Sequence, residues 1–274
     1  MRYKIGDVAR ILGISTDLIR YYEERGIVSP EKDPNNNYRY YDTWDINYLI
    51  DCLWYKQFGF GIDEIAGMAS AITVDELTRC LDAKQAEIAA DLRRQELLLE
   101  RIRQYRESLM RIRSFVGKCD VRQTAEFVCY LNRHNAQYDN RQELQRLSRQ
   151  WLKYMPFTKR YFEVSLVDVL DNGDDYSWGF SLGMKYVREF GLAIEPPIRF
   201  MPSRLCIHSA FKSSGKGAFS PRRIGFMKDW AEENSLTIAG NAFGNLACSA
   251  LDEGKTTGFF EVWLPVEPKV HSLR

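Results

Sequence analysis

The 274-residue chain is short of the features on which several protein classes depend. It has six cysteines, Cys52, Cys80, Cys119, Cys129, Cys206 and Cys248, with no CxxC pair. That density excludes a disulfide scaffold and suits reduced core thiols. No stretch approaches the roughly 20 apolar residues of a bilayer span, and the N-terminus lacks the apolar core of a secretory signal, so no membrane partner is expected and the cytoplasm is the expected location. The three histidines, His134, His208 and His271, have no nucleophile at a legible spacing, which counts against a hydrolytic site. An excess of one charge is also missing. The whole chain carries +1, and residues 1–74 hold eight Lys and Arg against eleven Asp and Glu, a balance of −3. A polyanion bound there must be held by a few placed cations, backbone amides and helix ends. With 45% hydrophobic and 27% charged residues, the length accommodates two ordinary cores.

What is present is ordered by periodicity. Ile5, Val8, Ala9, Ile11 and Leu12 recur at helical spacing, and Gly13 supplies a tight turn. Ser15 is an N-cap candidate for a second helix from about Thr16 to Arg25, with Leu18, Ile19 and Tyr22 inward and Thr16, Arg20 and Tyr21 outward. This pattern reads as a helix-turn-helix, although an ordinary two-helix corner has the same spacing. Ile27–Pro30, the polar turn Glu31–Asn37 and the run Tyr38–Tyr41 read as a β-hairpin wing. Asp42 or Thr43 caps a helix through Phe58, and a short helix follows over Ile62–Met68. Between Glu76 and Val116 there is neither Pro nor Gly, so one helix of about 40 residues, roughly 60 Å, is predicted. Leu81, Ile88, Leu92, Leu99, Ile102, Tyr105, Leu109, Ile112 and Val116 form a near-heptad stripe, a dimerisation candidate. The arginines opposite it read as a solvated flank rather than a nucleic-acid surface.

Beyond Asp120 the patterns alternate. Gln123–Leu131 reads as a strand, Arg141–Tyr154 as a helix, and Phe162–Leu170 and Tyr176–Leu182 as strands. A strand over Arg199–Ala210, a helix over Pro221–Asn234 and strands near Ala239–Ser249 and Gly258–Val266 repeat that order. The fold class is therefore multidomain, α and α+β: a winged helix-turn-helix (1–74), a long coiled-coil helix that is a dimerisation candidate (75–118) and a duplicated βαββ domain (119–274).

The segments Ile5–Ala9, Gly13–Ser15, Ile19–Glu23, Gly26-Ile27, Tyr38–Tyr41 and Phe58–Phe60 resemble the MerR family in content and spacing. The resemblance implies that the dimerisation helix (75–118) pairs as an antiparallel coiled coil. It implies a promoter-binding homodimer that distorts its DNA so that RNA polymerase can use it, a nucleoid-associated protein with no cofactor and no enzymatic activity. It assigns DNA contact to Ser15, Thr16, Arg20 and Tyr21 at the recognition helix, Arg39 and Tyr40 on the wing, and Lys56 near the backbone, with Tyr22 divided between phosphate contact and core. Arg can address a guanine edge or a phosphate bidentately, and a Tyr hydroxyl can donate to phosphate. Departures are Leu18 where the family often has Thr, Asn37 where it often has Gly, and Gly61 where Ser or Thr would cap.

The C-terminal half is similar to the GyrI-like effector domain of multidrug-responsive members of the family, through the βαββ repeat and the run Phe260–Pro265, which implies that residues 119–274 are an effector-binding domain. Strand alternation puts Glu261 on one face with Phe259 and Trp263. A carboxylate between rings favours a lipophilic cation or an aromatic amphiphile. Tyr176, Trp178 and Phe180 form a second aromatic stripe that could line the same pocket or pack a core, and Tyr130, Tyr154 and Tyr186 are further candidates. Two alternatives remain at this point. Cys80 and Cys119, with Cys129 near the latter, could form a thiolate metal site across an antiparallel dimer. Glu261 could instead be the base of a GyrI-like small-molecule hydrolase.

Overall fold

The computed structural model describes residues 2–34, 38–69, 73–215 and 219–269. The turn expected at Asn37, together with His271, lies outside the described residues. The chain divides into two compact units, Met1–Glu96 and Leu97–Arg274.

In the first unit, α1 (Ile5–Leu12) ends at Gly13, whose φ of 67° is the left-handed conformation a tight turn needs. Ser15 then accepts a hydrogen bond from the Leu18 amide at 3.1 Å and starts α2 (Thr16–Glu24). Three short strands follow the order β1–β3–β2, with β1 at Tyr3–Lys4, β2 at Glu31–Lys32 and β3 at Arg39–Tyr41. The first of them, too short to show alternation, adds an edge to the expected hairpin. Asp42 is the cap of α3 (Thr43–Gln57), accepting from the Trp44 and Asp45 amides. With α4 (Ile62–Ala69), these elements close over a core that includes Val8, Ile19, Tyr22, Tyr41, Leu49 and Ile65.

Helix α5 (Val74–Phe115) is continuous for 42 residues. Its expected stripe divides in two. Ile88, Leu92, Leu99 and Ile102 are exposed, whereas Ile112 is buried against the second unit's own sheet with Ala210 and Phe259.

That sheet is antiparallel, in the order β4–β10–β13–β12–β7–β8–β5–β6, with β9 and β11 pairing at its margins. The strands are β4 (Cys119–Gln123), β5 (Phe127–His134), β6 (Gln137–Tyr138), β7 (Lys159–Val164), β8 (Ser177–Gly183), β9 (Arg199–Met201), β10 (Leu205–Ser214), β11 (Leu236–Ile238), β12 (Ala242–Asp252) and β13 (Lys255–Pro268). Helices α6 (Gln142–Leu152) and α9 (Gly225–Glu233) cover one face. Leu144 and Trp151 of α6 bury Tyr130 and Leu182, and Met227 and Ala231 of α9 bury Phe162, Val262 and Leu264. From β5 onward two strands, β5 and β6, precede α6 and β7, β8 and β9 follow it, whereas from β10 onward α9 is followed by three strands, β11, β12 and β13, so the expected strand-helix-strand-strand repeat is not reproduced element for element.

Three strand readings need correction. Arg199–Ala210 is two strands, β9 ending at Met201 and pairing with β5, and β10 beginning at Leu205 and pairing with β4 and β13; Pro202 between them has no amide to donate to a ladder. Phe162–Leu170 is not one strand: β7 stops at Val164, Ser165 accepts from the Asp168 amide at 3.1 Å, and α7 (Leu166–Asp171) begins. The local cap outweighs the β-branched composition of that run. Gln123–Leu131 is broken at Thr124, whose amide donates to the Arg204 carbonyl and whose hydroxyl accepts from the Arg204 amide, which separates β4 from β5. A short helix after β8, α8 (Met184–Glu189), was not legible in the alternation.

Gly244 of β12 lies in register between Phe162 and Val262. A Cβ there would fall 2.0 Å from the Glu261 carbonyl oxygen and 2.6 Å from the Phe162 ring. Gly244→Ala should therefore lower stability by about 3 kcal/mol, read as an earlier transition in urea. An unchanged midpoint would show that β7 and β13 can move apart there.

Candidate functional site

In the first unit, Arg20 and Tyr21 project outward from α2, and Ser15 is exposed at its start. Arg20 is held by Asp17 one turn earlier, at 3.0 Å, in a solvent-exposed pair of little energetic weight. Tyr21 accepts from Arg25 at 3.2 Å, and the Arg25 guanidinium lies over its ring. Thr16 is half-buried at the first helical position. On the wing, Arg39 pairs with Glu23 at 2.9 Å, and the Tyr41 hydroxyl donates to the other oxygen of the same carboxylate. Glu23 thus ties the wing to the last turn of α2, a role that spacing alone could not reveal. Tyr40 is half-buried in the centre strand, paired in register with Lys4 and Glu31. Lys56 is exposed in the last turn of α3.

Tyr22 is a correction among these residues. It is fully buried, with its hydroxyl inside the core and no acceptor, and burial pushes its pKa up. It packs this unit and does not reach a nucleic acid in this structure.

In the second unit, strand alternation sets the site. Phe260, Val262 and Leu264 of β13 point to the helix-covered face, which leaves Glu261 and Trp263 on the other. Neighbouring strands send Phe127, Tyr161, Phe243 and Ser181 to that same side. There a cavity of about 290 Å³ is lined by Glu261, Trp263, Tyr161, Phe243, Lys159 and Tyr186, with Arg101 and Gln104 of α5 also bordering it. A second cavity of about 240 Å³ shares Glu261 and is bounded by Arg111 and Phe115 of α5 and by His208. Phe127, Tyr161 and Phe243 form a ring cluster with centroids 5.4–6.2 Å apart.

Glu261 stands in the wall between the two cavities. His208 Nε2 lies 2.9 Å from its Oε1, and His208 Nδ1 lies 3.3 Å from Asp120. The imidazole is packed between Trp263, 4.1 Å centroid to centroid, and Phe115, 4.9 Å. Burial pushes the Glu261 carboxyl up, but the His208 hydrogen bond and the nearby charges of Lys159 and Arg111 outweigh it, so the group ionises below its usual range. Lys159 is exposed to the solvent of the concavity yet surrounded by protein, and desolvation lowers its pKa despite the attraction of Glu261.

Of the other pocket candidates, Tyr186 lines the Glu261 cavity, its hydroxyl 3.5 Å from Gln104. Phe259 shares the face but packs on Ile112 and Ala210 instead of lining the larger cavity. The structure separates five residues from Glu261. Tyr176, Trp178 and Phe180 belong to the helix-covered side, where the first two pack on the α9 core and Phe180 on the α6 core. Tyr130 is buried on that side too, donating to Ser148 at 3.1 Å. In β5 and β8 these residues alternate with Phe127 and Ser181, which face Glu261. Tyr154 stacks on Phe190 at 5.0 Å beyond the end of α6, so it lines neither cavity. Lys159, Tyr161, Phe127, Phe243 and His208 were missed. Lys159 and Tyr161 were lost because their strand begins earlier than its apolar residues suggest.

Both alternative chemistries meet opposing geometry. Burial pushes the Cys119 thiol up, the wrong direction for a metal-binding thiolate, and that of Cys129 up to about 11. His208, which has no readable partner in sequence, is flanked by two carboxylates, with no hydroxyl or thiol hydrogen-bonded to it among the described residues. A carboxylate held below its usual range is also a weak base.

A helix-turn-helix with an outward second helix and a tethered three-stranded wing defines a winged helix-turn-helix protein. The chain belongs to the MerR family. Residues 3–72 match the family described as MerR HTH family regulatory protein. The HTH-type transcriptional regulator ZntR homolog of Haemophilus influenzae is 31% identical over 91 residues, 31% of this chain and 67% of that protein. The HTH-type transcriptional activator TipA of Streptomyces coelicolor is 32% identical over 103 residues, 37% of this chain and 36% of TipA, so the chain spans about a third of TipA's length. Among solved structures, EcmrR in its DNA complex aligns over 97% of this chain and 100% of that one, at 16% identity and a TM-score of 0.39. No helix of the described residues is long and apolar enough to cross a membrane.

The Glu261 carboxyl stays ionised to a lower pH than its unfolded counterpart. Its contacts therefore add stability that is fully present above about pH 4.5 and is lost as pH falls through the lower, folded value. Glu261→Gln should flatten the acid limb of a plot of unfolding midpoint against pH. An acid limb as steep as the parent's would remove this linkage.

Proposed function

We propose that the chain is a ligand-responsive transcription regulator that binds promoter DNA as a homodimer and senses an aromatic, lipophilic effector in the cavity at Glu261. The observation that carries this reading is the combination, in one chain, of a MerR segment with a carboxylate held ionised in an aromatic concavity. Residues 1–74 form the DNA-binding domain, 75–118 the dimerisation helix and 119–274 the effector domain, whose two halves are a duplication. The exposed stripe Ile88, Leu92, Leu99 and Ile102 is the surface for a second copy. Ser15, Thr16, Arg20 and Tyr21 address the major groove, Arg39 and Tyr40 the flanking backbone, and Lys56 a phosphate. Asp17 releases Arg20 to DNA while Glu23 keeps Arg39 in place for it, which supplies specificity without bulk positive charge. Activation follows when the effector favours a conformer that bends or untwists the promoter for RNA polymerase, in the manner of a population shift.

The effector cavity is more particular than a single acid among rings. Arg101 and Lys159 balance Glu126 and Glu261 along its lining, so the preferred effector joins an aromatic body to one positive group directed at Glu261, with Lys159 opposing that charge. Tetraphenylphosphonium is a suitable probe. It should raise transcription while the operator stays protected in a footprint, and its affinity should fall about tenfold in Glu261→Gln and rise in Lys159→Gln. Ligand-driven release from the operator, or unchanged cation affinity in both variants, contradicts the reading.

For the DNA-binding half, Arg20→Ala should weaken cognate binding and relax base preference. Lys56→Ala should weaken cognate and random DNA alike and reduce the salt slope by about one. Uniform losses in both variants would remove Arg20 from base readout.

A further inference from the structure

The helix-covered side of the sheet carries a cavity that the Glu261 site does not use. It measures about 360 Å³ and lies where β5, β6, β7 and β8 approach β12 and β13 on the side opposite Glu261. Its apolar walls are Trp178, Phe180, Phe219 and Phe260, with Trp178 and Phe219 centroids 5.2 Å apart and Phe219 and Phe260 5.4 Å apart. Among the described residues its charged lining is Arg133 and Arg160, with no Asp or Glu.

Arg133 is paired in register with Trp178 on one side and Tyr138 on the other, and its guanidinium lies over both rings, 5.3 and 5.5 Å from their centroids. Ring faces attract a cation without cancelling its charge or accepting its in-plane hydrogens. Two donors in this wall, Arg133 Nε and Trp178 Nε1, are buried without an acceptor among the described residues. Buried donors left unpaired cost free energy, and a concentration of them beside a cavity marks where an acceptor belongs. Among the described residues, neither Arg133 nor Arg160 has a carboxylate partner.

We propose that this cavity is a second ligand site, for a planar aromatic carboxylate. The rings sandwich the aromatic body and the two arginines and the Trp178 N–H take the carboxylate, for which a guanidinium offers the matching two-pronged geometry. A volume of about 360 Å³ holds one or two fused rings. The two faces of one sheet thus have opposite charge preference: a ligand with a positive group on the Glu261 side, a negative one here. Arg160 stands in register with Phe180 on β7, one residue from Lys159 and Tyr161 of the Glu261 cavity, so the sites share strands but no described lining side chain.

The test uses the full-length chain and three probes followed by calorimetry: 2-naphthoate, its neutral counterpart 2-naphthamide, and tetraphenylphosphonium. Naphthoate should bind saturably and more tightly than the amide. Arg160 is exposed, so Arg160→Gln should leave the unfolding midpoint in place while weakening naphthoate about tenfold. Trp178→Phe, which keeps a ring and removes the N–H, should weaken it several-fold. Neither change should alter tetraphenylphosphonium affinity, and Glu261→Gln should leave naphthoate affinity as it was. The proposal is overturned if naphthoate shows no saturable binding, if the amide binds equally well, if Arg160→Gln has no effect, or if naphthoate is lost in Glu261→Gln. Failure of tetraphenylphosphonium to bind bears on the Glu261 reading alone.

Discussion

A pleated strand can send its side chains to only two sides, and the second unit depends on that restriction being kept across neighbouring strands. In β13 it delivers Phe260, Val262 and Leu264 to the helices and Glu261 and Trp263 to the opposite side. In β7 it sends Phe162 and Val164 one way and Tyr161 and Glu163 the other. Because the strands are in register, the second group of side chains forms one surface. Its polar members are then satisfied across strands: Glu163 accepts from Tyr161, Arg199 and Asn241 at 2.6–3.0 Å, and Glu261 is met by His208. A slip of one residue in β13 would bury Glu261 among the α9 contacts and expose Val262, so register and charge placement are one constraint.

That constraint also explains how much could be read in advance. Features whose cause is local were legible: the Gly13 turn, the Ser15 cap, the unbroken helix from 74 to 115 and the side of β13 on which Glu261 falls. The helix-turn-helix carried a further signal because Arg20, Tyr21 and Arg39 stand at set distances in a short segment. What was not legible is made by contacts distant in sequence. His208 and Glu261 are 53 residues apart, and nothing near either announces the other. The aromatic stripe of β8 was visible, but its side of the sheet depends on the pairing of Phe180 with Tyr130 and of Ser181 with Cys129. Tyr22 shows the opposite limit: periodicity places it inward while the family resemblance divides it between phosphate contact and core, and its ring fills the first core so completely that the hydroxyl has no partner among the described residues. Ser165 shows how one capping side chain can end a run that β propensity would extend.

The acidic balance of residues 1–74 has a structural counterpart. Its carboxylates are engaged locally: Asp7 and Asp45 close caps, Asp42 starts α3, and Glu23 joins β3 to α2. They organise the unit through these local contacts. The pair Arg20–Asp17 is exposed and weak enough to be exchanged for a stronger acceptor. Arg39–Glu23 is less exposed, and exchanging it would also loosen the wing. The two cations are therefore not equivalent. Arg20 can turn to a base at small cost, whereas Arg39 keeps its place only while Glu23 holds it.

The same distinction between exchangeable and structural contacts bears on how an effector at Glu261 could act. An effector that merely filled the aromatic concavity would bind both conformers of the regulator equally and change nothing. To shift them it must alter contacts that differ between conformers, and the described candidates converge on the C-terminal half of α5. Arg101 donates to the Pro156 carbonyl at 2.9 Å, Tyr105 donates to the Ala247 carbonyl at 3.1 Å, and Phe115 stacks on His208. Gln104 and Arg111 reach the two cavities that meet at Glu261. A positive group that takes over the Glu261 carboxylate competes with His208 for it, and His208 cannot move without disturbing Phe115. On the proposed reading, occupancy of the carboxylate would reach the helix through one imidazole ring, because His208 is packed between Trp263 and Phe115.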